Sequence, residues 1–364
     1  MSESAKKLKP ARRALASILA GTLTVAAGVG AVNGQSGPEP ASQVSELVAR
    51  VRASLPGDAA LSDALALGQL LIQEKRFAEA AELFRAVLDK NPADPAALYG
   101  AALSAFNLGK QAEAETSARA AVAVVTLRSN GLTRFTSEGR TRAADALVLL
   151  AVVLAVKGDD SGALENARRA MKIAPDHFDA QFTLGRALYS VGDMTAASEA
   201  FRAASSLNPS DQRALFFLGT TLERTGDLEG AVKIYRQLTA KWPQAAQGHL
   251  GLGTLLVRGG GTQTEEGIEE LKRAVAIEPD LYEARVALGR TLVARGRAAE
   301  SIEHLVRAAE LAPGNPEPQY QLSLAYRRLR RYDKAAEATA AVRRIHETRR
   351  ASGVSSKSQK TPEH

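Results

Sequence analysis

Apolar residues along this chain fall in helical stripes that are interrupted at a fixed interval. Pro175, Pro209 and Pro243 stand 34 residues apart, and the pairs Leu184-Gly185 and Leu218-Gly219 keep the same step. Such a period is too long for a coiled coil and is the length of two short helices with their turns. Residues 178–211 contain both helices. In the first, Phe178, Phe182, Leu184, Gly185 and Leu188 recur at mixed three and four spacing until Gly192-Asp193 breaks the stripe. In the second, Ala197, Ala200, Phe201 and Ala204 form another stripe. It ends at Asn208-Pro209, because proline disfavours helical geometry in the residue before it. The small residues Gly185, Ala197 and Ala204 allow close backbone approach, and a bulkier side chain there would overpack the contact at a cost of about 1 to 3 kcal/mol.

Counted from Phe178, the seventh, eighth, twentieth, twenty-fourth, twenty-seventh and thirty-second positions are Leu184, Gly185, Ala197, Phe201, Ala204 and Pro209. From Gln212 they are Leu218, Gly219, Ala231, Tyr235, Leu238 and Pro243. Ala144 opens an earlier copy with Leu150, Ala151, Ala163, Ala167, Ala170 and Pro175, and Leu61 opens the first, with Gly68, Ala80, Phe84 and Pro92. Downstream, Tyr282 leads to Leu288, Gly289, Leu305, Ala308 and Pro313, and Pro316 to Leu322, Tyr326 and Ala335.

This pattern resembles the tetratricopeptide repeat. The resemblance implies an all-α, right-handed superhelical solenoid of about eight stacked helix-turn-helix repeats across residues 61–347. The repeats are expected near 61–94, 95–128, 144–177, 178–211, 212–245, 246–281, 282–315 and 316–347. Two of them depart from the period. From Ala246, the run Arg258-Gly259-Gly260-Gly261-Thr262 lengthens the turn between helices, so Pro279 arrives two residues late. From Pro95 the closing proline is missing, and an insertion over 126–143, polar and basic with two glycines, suits either a loop or a helix extension. Residues 35–60 read as a linker and an amino-terminal capping helix, Ala41 to Leu55, with Val44, Leu47, Val48 and Val51 on one stripe. In the last repeat Arg327, Arg328, Arg330 and Arg331 put charge where no further repeat follows.

Residues 1–34 form a second signal. Lys6, Lys7, Lys9, Arg12 and Arg13 precede Ala14 to Val32, nineteen residues without a charge. A cleaved secretory signal and a retained membrane anchor both fit, since a span needs about 20 apolar residues. Either way the repeats are expected outside the cytoplasmic membrane, periplasmic, secreted or anchored, with the basic flank inside. The residues around Arg12-Arg13 do not support a twin-arginine route. The chain has no cysteine, which excludes disulfides, thiolate metal sites and a lipid-modified cysteine.

The net charge of +7 is confined to the ends: residues 1–13 and 343–364 carry +4 each, leaving −1 for everything between. A near-neutral repeat body has no broad basic field, so nucleic acid is not an expected partner. Residues 348–364 read as a disordered basic tail. No catalytic constellation emerges. His177, His249, His304, His346 and His364 are scattered, and no His-Glu-x-x-His, phosphate-loop or Gly-x-Ser-x-Gly motif occurs. Glu265, Glu266, Glu269 and Glu270 suit the start of a helix, where they favour the macrodipole. The chain is therefore read as non-enzymatic, with no cofactor and no metal.

The family resemblance implies that first helices line an inner groove through their second, fifth, ninth, twelfth and thirteenth positions. The fifth positions are Val148, Phe182, Phe216, Leu250, Val286 and Tyr320, an apolar row, and Arg186, Tyr189 and Arg290 stand beside it. Phe182, Arg186, Tyr189, Phe216, Leu250, Arg290 and Tyr320 are the candidate partner-binding residues, although aromatics at fifth positions also pack within or between repeats. An apolar strip edged by arginine suits a peptide or helix of a protein partner. The carboxylate clamp of the family's chaperone-tail binders is absent: Phe182 and Phe216 occupy fifth positions where the clamp needs lysine. The leading reading is a protein-interaction scaffold in the cell envelope. The alternative is an envelope solenoid that binds a polysaccharide or cell-wall polymer.

Overall fold

The computed structural model describes residues 58–127 and 136–351, together with Val48. The 1–34 segment, including Ala14 to Val32, the capping segment apart from Val48, the middle of the insertion and residues 352–364 lie outside the described residues. Among the described residues there are sixteen α-helices and no strand, an all-α repeat architecture. No helix among them is long and apolar enough to cross a membrane.

The chain divides into two compact bodies, one up to Val191 and one from Gly192. The N-terminal body contains α1 (Asp58–Gln73), α2 (Phe77–Leu88), α3 (Pro95–Asn107), α4 (Gln111–Leu127), α5 (Ser137–Val156), α6 (Asp160–Ile173) and α7 (Phe178–Ser190). Each helix packs on the next, and α1, α3, α5 and α7, the first helices of their repeats, also touch one another in sequence. Its core holds Leu67, Leu83, Phe84 and Val48 at one end and Leu147, Leu150 and Leu154 further along. Part of the insertion is helical: the Thr136 hydroxyl accepts the Gly139 N–H at 3.1 Å and caps α5, so residues 137–143 extend that helix.

The C-terminal body contains α8 (Met194–Leu207), α9 (Gln212–Thr225), α10 (Leu228–Lys241), α11 (Ala246–Gly259), α12 (Gln263–Ile277), α13 (Tyr282–Ala294), α14 (Ala298–Leu311), α15 (Glu317–Arg328) and α16 (Tyr332–Ala351). Here α9, α11, α13 and α15 are the successive first helices and touch in that order. The tail expected from 348 is helical as far as Ala351. Arg349 and Arg350 sit in its last turn, where cations favour the helix dipole.

Turn chemistry explains the boundaries. Gly158, Gly192 and Gly226 adopt positive φ of 82°, 86° and 85°, a conformation cheap only for glycine. The aspartate that follows each glycine begins the next helix. Asp159, Asp193 and Asp227 accept the backbone N–H of Gly162, Ala196 and Gly230 at 2.9, 3.2 and 2.9 Å, which satisfies an otherwise orphan donor. Second helices stop where proline follows: Ala174 and Asn208 have left helical geometry, at φ −136°, ψ 79° and φ −130°, ψ 84°.

A recurring side-chain bond, not foreseen from the pattern, ties these stops to the next helix. Gln181 and His249 occupy the fourth position of their repeats and donate to the carbonyls of Pro175 and Pro243 at 3.0 and 3.1 Å. Arg285, also a fourth residue, donates to the Pro279 carbonyl. Where that position is Leu215, which has no donor, Lys241 donates to the Pro209 carbonyl instead, at 2.5 Å. A carbonyl only accepts, so His249 Nε2 carries a proton, and Nδ1 faces the buried Glu270 carboxylate at 2.5 Å.

Aromatic rings at the twenty-fourth position fill gaps left by glycines. Tyr235, 2% exposed, lies between Gly219 and Gly251, where an added Cβ would come within 2.7 and 2.6 Å of its ring. Phe84 is confined in the same way between Gly68 and Gly100.

Candidate functional site

In the C-terminal body, Phe216 on α9, Leu250 on α11 and Val286 on α13 are half-buried and line one opening of about 460 Å³. Stacking of equivalent repeats brings the fifth residues of successive first helices to the same face, and helical periodicity puts the ninth residues one turn further along that face. Thr220, Thr254 and Arg290 are those ninth residues and complete the wall. Phe216 is held by an edge contact to Phe217, centroids 5.4 Å apart, and lies 6.5 Å from the Tyr235 ring. Thr220 also holds the tyrosine, its hydroxyl 3.0 Å from the Tyr235 hydroxyl. The strip is therefore backed by fixed aromatic rings.

Its margins are charged. Glu223 is half-buried, and burial raises its pKa above the usual glutamate value, partly offset by Arg258 at 3.7 Å. Arg290 is exposed. Tyr282 contributes a buried hydroxyl that has no hydrogen-bond partner among the described residues. Burial, then Glu317 and Glu283, push its phenol pKa up, so it stays a neutral donor. Tyr320 is 51% exposed on α15 and is not among the residues lining this opening.

The other candidates belong to the N-terminal body. Phe182 is 5% exposed and stacks on Phe178 with centroids 5.7 Å apart, so its ring serves the packing of α7 and presents little surface. Arg186 is exposed and lines a small pocket of about 180 Å³ with Val152, Val156 and Asp160. Tyr189, half-buried, lies outside that pocket's lining. Val148 is also half-buried.

A second opening in this body, of about 360 Å³, is lined by Tyr99 and Asp145, neither of which the sequence reading named as a binding candidate. Tyr99 on α3 stands between Ile72 and Gln73 of α1, Leu103 of α3 and Asp145 of α5. Burial first, then the charges of Asp145 and Asp179, push the Tyr99 phenol up to about 12. His177 Nε2 lies 3.2 Å from an Asp145 oxygen, and its Nδ1 accepts the Ala180 N–H at 3.3 Å, capping α7. The Asp145 contact is the main cause holding the His177 pKa above the usual histidine value, against the pull of burial. The count that located Phe216 also marks Tyr99 as the fifth residue of the repeat from Pro95.

Comparison with curated proteins finds no match. Solved structures give fold likeness. A tetratricopeptide repeat protein from Parabacteroides merdae is 16% identical with a TM-score of 0.52, covering 73% of this chain and 98% of its own. PilF of Pseudomonas aeruginosa is 17% identical with a TM-score of 0.51, covering 57% of this chain and 94% of its own. YrrB, described as a tetratricopeptide repeat protein with an unusual peptide-binding site, is 21% identical with a TM-score of 0.43, covering 50% and 93%. The family description "Tetratricopeptide repeat" matches residues 65–128, 182–246, 221–282, 250–316 and 286–349. With more than half of its length matched and its helices following the repeat, the chain belongs to the tetratricopeptide repeat family, whose members are in general non-catalytic protein-interaction scaffolds.

Proposed function

We propose that this chain is a non-catalytic scaffold that holds a peptide or helix of a protein partner along the inner face of its C-terminal body. The observation that carries the reading is the shared opening of Phe216, Leu250 and Val286, with Arg290 at its wall. Three apolar side chains supplied by the first helices of three successive repeats suit the spaced anchors of an amphipathic segment. A central apolar patch with a charged rim is the arrangement that concentrates binding energy in a few residues. Tyr320, exposed on α15 of the same body, belongs to this proposal as a flanking contact. The setting, outside the cytoplasmic membrane after export or while anchored, is proposed on Lys6 to Arg13 and the uncharged Ala14 to Val32.

The test is capture from solubilised cell envelope by the purified chain, followed by identification of the bound protein and measurement of its affinity. Leu250→Glu and Arg290→Glu together are expected to abolish capture while the far-UV circular dichroism spectrum stays native. Undiminished binding by that double variant would overturn the reading. Retention of a glycan in place of a protein would replace it with the polymer-binding alternative.

A further inference from the structure

We infer that the N-terminal body carries a second binding site, in which an arginine or lysine side chain of a partner peptide enters the opening beside Tyr99 and pairs with Asp145. This site is separate from the groove of the C-terminal body and stands or falls independently of it. Its volume of about 360 Å³ lies within the usual range of pockets that take small ligand groups, about 300 to 1,000 Å³. The apolar lining from Ile72, Leu103 and Val125 offers surface to the methylene stem of a long cationic side chain.

The charges at the opening favour a cation. Asp145 has one oxygen beside His177, and its other oxygen has no partner among the described residues. Asp179 lies outside the lining of the opening and acts only as the smallest of the causes that raise the Tyr99 phenol. The cation lining the opening, Arg142, is paired with Glu138 one turn earlier on α5. His177 brings no uncompensated positive charge while its Nδ1 accepts the Ala180 N–H. An acidic segment would meet like charge here, whereas a guanidinium or ammonium gains a charge-assisted hydrogen bond from Asp145 and the face of an aromatic ring. Both features lie at inner positions of first helices, so a peptide along that face reaches them together.

The experiment pans a random-peptide display library against the full chain and then measures the enriched peptide by fluorescence anisotropy. Enrichment of arginine or lysine at one fixed position with apolar neighbours is expected. The synthetic peptide should bind Asp145→Asn and Tyr99→Ala at least about tenfold more weakly, the scale of one hydrogen bond to a charged group. Leu250→Glu, which disables the other groove, should leave its affinity unchanged. No enriched peptide, enrichment without a fixed cationic position, or equal binding by Asp145→Asn would overturn the inference. Tighter binding by a chain shortened after Ala351 would overturn it as well, by identifying the protein's own basic tail as the occupant.

Discussion

Gly251→Ala sets two effects of opposite sign against each other. Alanine in place of glycine inside a helix favours the helix by about 1 kcal/mol. The new Cβ would lie 2.6 Å from Tyr235 Cζ and 2.8 Å from each Cε, against the 3.5 to 4.0 Å of an ordinary contact. Relief requires the ring to withdraw by about 1 Å, and it has nowhere to go. Gly219 closes the other side, its own added Cβ falling 2.7 Å from the same ring, and Thr220 holds the hydroxyl at 3.0 Å. Overpacking of this severity belongs at the upper end of its usual range, about 3 kcal/mol, so the variant should be destabilised by about 2 kcal/mol net. The single tryptophan, Trp242, follows α10 directly and reports on this part of the C-terminal body through its fluorescence in urea. In a Tyr235→Leu background the clash is gone, and the same glycine change should stabilise by about 1 kcal/mol, a coupling of about 3 kcal/mol between the two sites. At Gly259 the added Cβ would meet only the side-chain oxygen of Gln263 at 3.3 Å, and Gly259→Ala should not destabilise. A Gly251→Ala chain more stable than the parent would refute the confinement of Tyr235 between two glycines.

Two further outcomes follow from local geometry. Asp227→Ala removes the acceptor that the Gly230 N–H uses at 2.9 Å and should cost about 1 kcal/mol, read as a lower midpoint in thermal unfolding. His304 is half-buried with Nδ1 lacking a hydrogen-bond partner among the described residues, and burial is the main cause of its lowered pKa. The unfolded chain then binds a proton that the folded chain resists, so stability contributed by neutral His304 is present above the ordinary histidine range and lost as the pH falls through it. Urea midpoints measured between about pH 7.5 and 5.5 should fall less steeply for His304→Leu than for the parent. Identical slopes would show that His304 titrates as it does in the unfolded chain.

Much of the fold is legible because its determinants are local. Glycine at Gly192 and Gly226 permits the left-handed turn, the following aspartate caps the next helix, and proline at Pro175 and Pro209 stops the one before. Each acts within a few residues of itself. The groove is legible in part. Counting to the fifth position finds Phe216, Leu250 and Val286, which share an opening, and the same count marks Tyr99, whose neighbours Ile72 and Asp145 come from other repeats. It also finds Phe182, whose ring is turned to Phe178. Repeat position specifies the direction of the Cα–Cβ bond, and the neighbouring side chains settle whether the ring is covered.

The sequence by itself determined the helical class, the period, the turns and family membership, because helix periodicity and turn chemistry depend on residues close along the chain. Tertiary structure alone decided which side chains meet across 15 or more residues: Tyr235 with Thr220, His249 with Glu270, Lys241 with the Pro209 carbonyl. Those contacts depend on how adjacent helices pack and on which neighbour supplies a donor or leaves a gap. Gln181, His249, Arg285 and Lys241 make the point together: three chemically different residues perform one task at the fourth position, and a lysine from another helix performs it where Leu215 cannot.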